Sequence, residues 1–558
     1  MKKLKSLAAL GLVSVLVVGC GSSGGDSDTK KIAKLAWDSD ATVFDSTIEN
    51  NATTLIMLNA QSEGLYRLEE DGTPVEGMAE KVEISDDETE YTFTLRDTEW
   101  ANGEKVTADD FVFAFRRMFD TDVPDSVNNR FLTFKGLLGL KNSDELQAWI
   151  DYKAYLDNPD NYSNDDPEKS NIPEEAPEVK VEDLGIEAVD EKTVKITLQD
   201  PCPIIGSILA YPSFFPLNEK FVTDAGEKYG TSVDLTLACG PYKLTKWEAS
   251  NTIAYEKNEG YYGADDIKVD GLEFKINTES TARALAYDSG EVMFTQLTSD
   301  LVAQYEGTEG YETKLESYLA YLSFNQNNPD FTNENLRRAM ALSFNKQDLV
   351  DDVLKDGSQV ANHIIPEGLA IGPDGKDFRE SAGKDAVYLE TDKEAAKTYF
   401  ETAKQELGKD SFEFSLMVGE RDPNKAIAEF LKQEIEENLP GVTITIDIQP
   451  SKTFYAIADT KQDYDILSIM WGPDYPYPTT YTDLWTSGGA NNYAVYSSEK
   501  YDELQKATTS GDLLEDPEGR WEAFKEMEKL LLEEDVAVAP MYQRGWVGLI
   551  NPKLEGIA

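Results

Sequence analysis

Phe412-Glu413-Phe414-Ser415-Leu416-Met417 alternates apolar and polar side chains, as a strand laid on a core does. Lys425 to Glu437 then carries apolar residues at helical spacing and is stopped by Asn438 and Pro440. Val442 to Ile448 alternates again, and Tyr464 to Met470 reads as a further strand. Strand, helix, strand predicts a parallel crossover, because parallel neighbours need a connection long enough to return to the same end of the sheet. The chain is therefore α/β in this region. Ligands of open α/β sheets collect beyond the carboxyl ends of the strands, where loops surround a crevice. The strand ending at Met470 runs straight into Trp471-Gly472-Pro473-Asp474-Tyr475-Pro476-Tyr477-Pro478. Three prolines stiffen this loop, and its aromatic rings and single carboxylate would offer a ligand an apolar wall and one fixed negative charge. The same composition also suits a rigid turn that serves packing alone.

Upstream of that stretch the pattern changes to short strands. Lys34 to Trp37, Lys81 to Ile84 and the run Tyr91, Phe93, Leu95 read as strands, the last with Thr92 and Thr94 on its other face. Thr107 followed three residues later by Asp110 spells a capping box, and Phe111, Phe115 and Phe119 recur every fourth residue on the helix it opens. From Asn158 to Val189 Asp, Glu, Pro and Asn dominate, which predicts an extended surface insertion. Val194, Ile196 and Leu198 then alternate as a strand returning to the body, followed by turns at Pro201, Pro203, Pro212 and Pro216. No internal repeat is visible.

The amino terminus places the chain. Lys2, Lys3 and Lys5 precede an apolar run from Leu7 to Val18 that falls short of the roughly 20 residues a membrane-spanning helix needs, and small residues lead to Cys20. This is a secretory signal, 1-19, followed by a flexible tether over 20-31 with nothing apolar to bury between Gly21 and Asp28. The glycines here spell G-x-G-x-x-G and G-x-S-x-G by accident, with neither strand nor helix to give those spellings chemistry. The formal charge of -53 repels phosphates, so nucleic acid is not expected as a partner. One histidine, His363, excludes metal sites built on two imidazoles and weighs against hydrolytic relays. No cofactor is expected. Cys202 and Cys239 form an even pair in an exported chain, which predicts a disulfide stabilising the fold by roughly 3 to 4 kcal/mol.

Longer matches now become legible. Gly77-Met78-Ala79-Glu80-Lys81-Val82, Tyr91-Thr92-Phe93-Thr94-Leu95-Arg96 and Ala101-Asn102-Gly103-Glu104-Lys105-Val106 run in order with Gly240-Pro241-Tyr242-Lys243-Leu244, Phe324-Asn325, Leu336-Arg337-Arg338-Ala339 and the Trp471 to Tyr475 loop. Together they resemble bacterial extracellular solute-binding protein family 5, the oligopeptide, dipeptide and nickel binders. The resemblance implies a type II periplasmic-binding-protein-like α/β fold, two lobes with a hinge plus an extra domain. It implies a discontinuous lobe I of 32-52, 195-283 and 525-558, an extra domain over 53-194, and a further lobe over 284-524. The implied activity is capture of extracellular peptides for an ABC permease, by a monomer lipidated at Cys20 on the outer face of a cell membrane, Gram-positive by preference. In the oligopeptide binders the acid of a Trp-x-x-Asp-Tyr loop holds the peptide's amino terminus, which implies that role for Asp474 with Trp471 and Tyr475 beside it. The backbone near Gly472 would pair with the extended peptide as an added strand. The resemblance further implies ligand contacts at Asn50 and Asn51, in the loop Glu49 to Ala52, and at Tyr262. An arginine that some oligopeptide binders carry six residues before the aspartate is here Ser468. Alternative ligands within the family are oligosaccharides, haem and nickel chelates, and a secreted hydrolase is the alternative outside it.

Overall fold

The computed structural model describes residues 30–554 except 50, 70–71, 120–137, 158–177, 299, 384–385, 421 and 462. The secretory signal, Cys20, most of the tether and the first part of the acidic insertion therefore lie outside the described residues. Two compact units divide the chain: the first ends at Gln296 and resumes at Leu549, and the second runs Leu297–Gly548.

The first unit contains β1 (Ile32–Trp37), α1 (Ala52–Gln61), β2 (Ala79–Ile84), β3 (Glu90–Leu95), α2 (Ala108–Arg117), β4 (Ile186–Asp190), β5 (Thr193–Thr197), β6 (Tyr242–Glu248), β7 (Thr252–Lys257), β8 (Gly271–Ile276) and β9 (Phe294–Gln296). One of its sheets runs in the order β9-β1-β8-β7-β6, with β1 parallel to β8 and to β9. An antiparallel sheet in the order β2-β3-β5-β4 lies apart from it. Tyr91, Phe93 and Leu95 bury the core side of β3, as the alternation predicts, while Thr92 and Thr94 remain partly exposed. Against this sheet packs α2, with Phe111 and Phe115 fully buried. Its capping acid Asp110 accepts the Thr107 N–H at 2.8 Å and the Trp100 indole N–H at 3.2 Å. Burial nevertheless pushes the Asp110 pKa up to about 6.

Two expectations need correction here. The end of the acidic segment is not an extended insertion: Ile186–Asp190 forms β4, because Ile186 is buried and the segment pairs with β5 through a tight turn. Cys202 and Cys239 are both buried and no disulfide joins them. They sit in different surroundings, Cys202 near the Tyr91 phenol and Cys239 against Ser62 and Glu63, where burial pushes its thiol up to about 12. An even cysteine count reports the compartment, and says nothing about which side chains the fold brings together.

The second unit is built on β10 (Tyr311–Phe324), β11 (Phe412–Gly419), α3 (Asp422–Asn438), β12 (Val442–Gln449), β13 (Ile466–Trp471) and β14 (Val538–Ile550), in the sheet order β12-β11-β13-β10-β14. Both β12 and β13 run parallel to β11, which is the crossover the sequence predicts. Leu416, Met417 and Val418 are consecutive and all buried, because β11 lies inside the sheet with both faces covered. Antiparallel β10 puts Leu319 opposite Trp471 and Phe324 opposite Ile466.

Polar side chains fix where β13 starts, and so where its loop emerges. Asp465 accepts the Ser415 N–H at 2.7 Å and the Asn328 amide at 2.8 Å. Asn325 donates to Tyr464 O at 2.9 Å and Lys461 O at 3.1 Å. The buried guanidinium of Arg337 donates to Val536 O at 3.0 Å, to Phe331 O at 2.6 Å and to Asp535 O, so its charge is spread over three carbonyl dipoles. Thus Phe324-Asn325 and Leu336-Arg337 hold the sheet, whereas the loop beyond Met470 is left to face outward. No helix among the described residues is long and apolar enough to cross a membrane.

Candidate functional site

Trp471 closes β13, and everything that follows is tied down from behind. The Tyr481 hydroxyl, on the short helix Thr479–Thr482, donates to Trp471 O at 3.1 Å and also lies against Ser317 O. Asp474 donates its N–H to Thr480 Oγ1 at 3.0 Å. Tyr475 is only 4% exposed, and its hydroxyl lies 3.1 Å from Thr479 Oγ1, so it anchors the loop from inside. The Tyr477 ring stands edge-on to Trp521 and Phe524 at 6.0 and 5.6 Å, with the Arg520 guanidinium 5.9 Å from its centre.

Gly472 is the narrowest point. A Cβ there would sit among the ring carbons of Tyr318, with Cζ at 2.6 Å, so only glycine lets β10 and the loop approach this closely. On Tyr318 rests the Arg544 guanidinium, 3.8 Å from the ring centroid, with its Nε directed to Glu316. The loop therefore has a stiff floor made of an aromatic ring and a cation.

Two polar groups of this arrangement bear on a ligand. The Asp474 side chain is half-buried, in reach of solvent. The Trp471 indole N–H is buried and has no acceptor among the described residues, an uncommon state for a strong donor unless a ligand supplies one. A half-buried carboxylate on a braced loop suits an ammonium, through a charge-assisted hydrogen bond.

The candidates in the first unit are differently placed. Asn50 lies outside the described residues. Asn51 is the N-cap of α1, its side-chain oxygen accepting the Thr54 N–H at 3.2 Å. Tyr262 donates its N–H to Thr98 Oγ1 at 3.2 Å, packs on Tyr261 with ring centres 4.4 Å apart, and carries the Arg96 guanidinium 4.9 Å from its ring centre. Tyr261 and Tyr262 line a cavity of about 460 Å³ whose other walls include Arg96, Thr98, Glu99 and Lys105. Behind them is Glu63, which accepts the Tyr261 hydroxyl at 3.0 Å. Burial pushes the Glu63 carboxyl up, against the opposing pull of the Tyr262 and Tyr261 hydroxyls and of Arg67 and Arg96.

His363 is buried, and its desolvation together with Arg379 holds the imidazole at about 3, so the ring is neutral. Among the described residues no group of three or more His, Cys, Asp or Glu side chains is placed to hold a metal ion.

Sequence reading groups Trp471, Gly472, Asp474 and Tyr475 because they are neighbours in the chain. It misses Glu316, Tyr318, Thr480, Tyr481 and Arg544. Of these only Thr480 and Tyr481 lie near the loop in the chain, and nothing in the sequence of β10 or β14 marks Tyr318, which abuts Gly472, or Arg544, which stacks on it.

An α/β unit that presents a braced aromatic and acidic loop at a strand's carboxyl end has the form of a solute-binding site. Residues 73–493 match the profile of bacterial extracellular solute-binding proteins, family 5 Middle, and the chain belongs to that family. It is 29% identical to the dipeptide-binding protein of Lactococcus lactis subsp. cremoris, over all of this chain and 97% of that one. Among solved structures it is similar to Listeria monocytogenes OppA bound to peptide, at 32% identity and TM-score 0.71, covering 94% of this chain and 95% of that one. A similar match is the substrate-binding domain of an oligopeptide ABC transporter from Bacillus anthracis, at 34% identity and TM-score 0.72, over 94% of this chain and 95% of that one.

Proposed function

We propose that this protein captures short peptides outside the cell and passes them to an ABC permease, binding without catalysis. Asp474 on its braced loop carries the reading: it gives the α-ammonium of an extended peptide a charge partner as water is removed. The Trp471 indole N–H supplies a donor for a peptide carbonyl, and the backbone at Gly472 adds main-chain pairing that does not depend on side chains. The relatives, dipeptide and oligopeptide binders, support the same ligand class. The amino-terminal signal supports a monomer tethered by lipid at Cys20 to the outer face of a Gram-positive membrane.

Calorimetry and thermal unfolding of the mature chain with a diverse free-amine peptide mixture test the proposal. Heat release together with a raised unfolding temperature is expected, since a ligand that binds only the folded state stabilises it. Neither signal from peptides, with both from an oligosaccharide or a metal chelate, overturns it.

A further inference from the structure

The floor beneath the loop has a feature that bracing does not require. Arg544 is held in place twice, by stacking over Tyr318 and by the Nε contact to Glu316. Both of these use one face and one edge of the guanidinium. Among the described residues Nη1 and Nη2 have no hydrogen-bond partner, and the side chain is 36% exposed. An oriented guanidinium with its outer fork open is the geometry that binds a carboxylate through two parallel hydrogen bonds. Tyr318 also abuts Gly472, so that fork lies one ring away from the backbone leading to Asp474. Elsewhere the chain carries a formal charge of -53, which disfavours an anionic ligand unless a local cation offsets it.

We infer that Arg544 receives a carboxylate of the bound ligand, close to the end held by Asp474. The inference rests on the peptide reading given above. The carboxylate comes from one of two sources, an acidic side chain near the peptide's amino terminus or the carboxy terminus of a very short peptide. Glu316 holds the guanidinium from its Nε side and leaves the fork open. A peptide with lysine at that position meets a like charge and is disfavoured.

Calorimetry on the mature chain with four free-amine peptides tests this. Ala-Glu-Ala-Ala amide against Ala-Gln-Ala-Ala amide reads the side-chain source, and Ala-Ala acid against Ala-Ala amide reads the terminal one. In the wild type at least one acid is expected to bind tenfold or more tightly than its neutral counterpart. Arg544→Gln is expected to bring that ratio to within threefold, and Arg544→Lys is expected to restore part of the ratio. Equal affinities for acid and amide in the wild type, or a ratio unmoved in Arg544→Gln, overturns the inference and leaves the peptide reading intact. Failure of all four to bind the wild type overturns both. Arg544→Lys keeps the charge over Tyr318, so it reports even where Arg544→Gln unfolds.

Discussion

Glu63 in the first unit and Asp474 in the second have one thing in common: each is a carboxylate with tyrosines close by. The structure separates them by burial. Glu63 lies deep, accepts the Tyr261 hydroxyl and has its pKa raised by desolvation, so its environment favours the neutral acid. Asp474 is half-buried on a loop whose backbone is fastened from behind, leaving the side chain at the surface. Burial makes the Glu63 carboxyl costly to ionise, whereas the braced loop leaves the Asp474 side chain accessible.

The largest effect on that contrast should come from removing the brace. Gly472→Val drives a side chain into the Tyr318 ring and is expected to abolish measurable peptide binding while lowering stability by about 1–3 kcal/mol, as overpacking does. Calorimetry and denaturant unfolding read the two consequences. Binding of normal strength in this variant would show that Gly472 and Tyr318 do not set the loop.

An acid-to-amide exchange at each place sharpens the comparison. The folded protein holds the Glu63 proton more tightly than the unfolded chain does, so raising pH above the ordinary glutamate value of 4.5 favours unfolding. Glu63→Gln removes that penalty. It is expected to unfold at a higher temperature than wild type at pH 8, with the gap closing as pH falls below 4.5, and to leave peptide affinity unchanged. A melting curve series against pH checks this, and a constant gap across the range would deny the raised pKa.

The smallest effect is expected at Tyr262. Its backbone and ring are already engaged with Thr98, Tyr261 and Arg96, so Tyr262→Phe should change peptide affinity by less than threefold in a titration. A tenfold loss would restore it as a ligand contact and weaken the division between the two regions.

What was legible in the sequence followed from periodicity and adjacency. The alternation of Phe412 to Met417 and of Val442 to Ile448, with a helix between, dictates the parallel crossover, and the loop after Met470 falls at the strand end where that topology puts ligands. Thr107 and Asp110 likewise announce α2. What stayed hidden depends on contacts between distant segments. Tyr318 and Arg544 reach the loop from β10 and β14, and their own neighbours in sequence give no sign of it. Cys202 and Cys239 misled because parity was read as proximity. Ile186–Asp190 was masked by the acidic residues around it, although one buried isoleucine and a partner strand suffice to fold it.

The central claim is that Asp474 recognises the charged amino terminus, and a double-mutant cycle tests it most directly: wild type and Asp474→Asn, each titrated with one peptide bearing a free or an acetylated amino terminus. The expected result is a loss of about 2–5 kcal/mol for Asp474→Asn with the free amine, little further loss with the acetylated peptide, and an unchanged unfolding temperature without ligand. Equal affinities of wild type and Asp474→Asn for the free-amine peptide would contradict it.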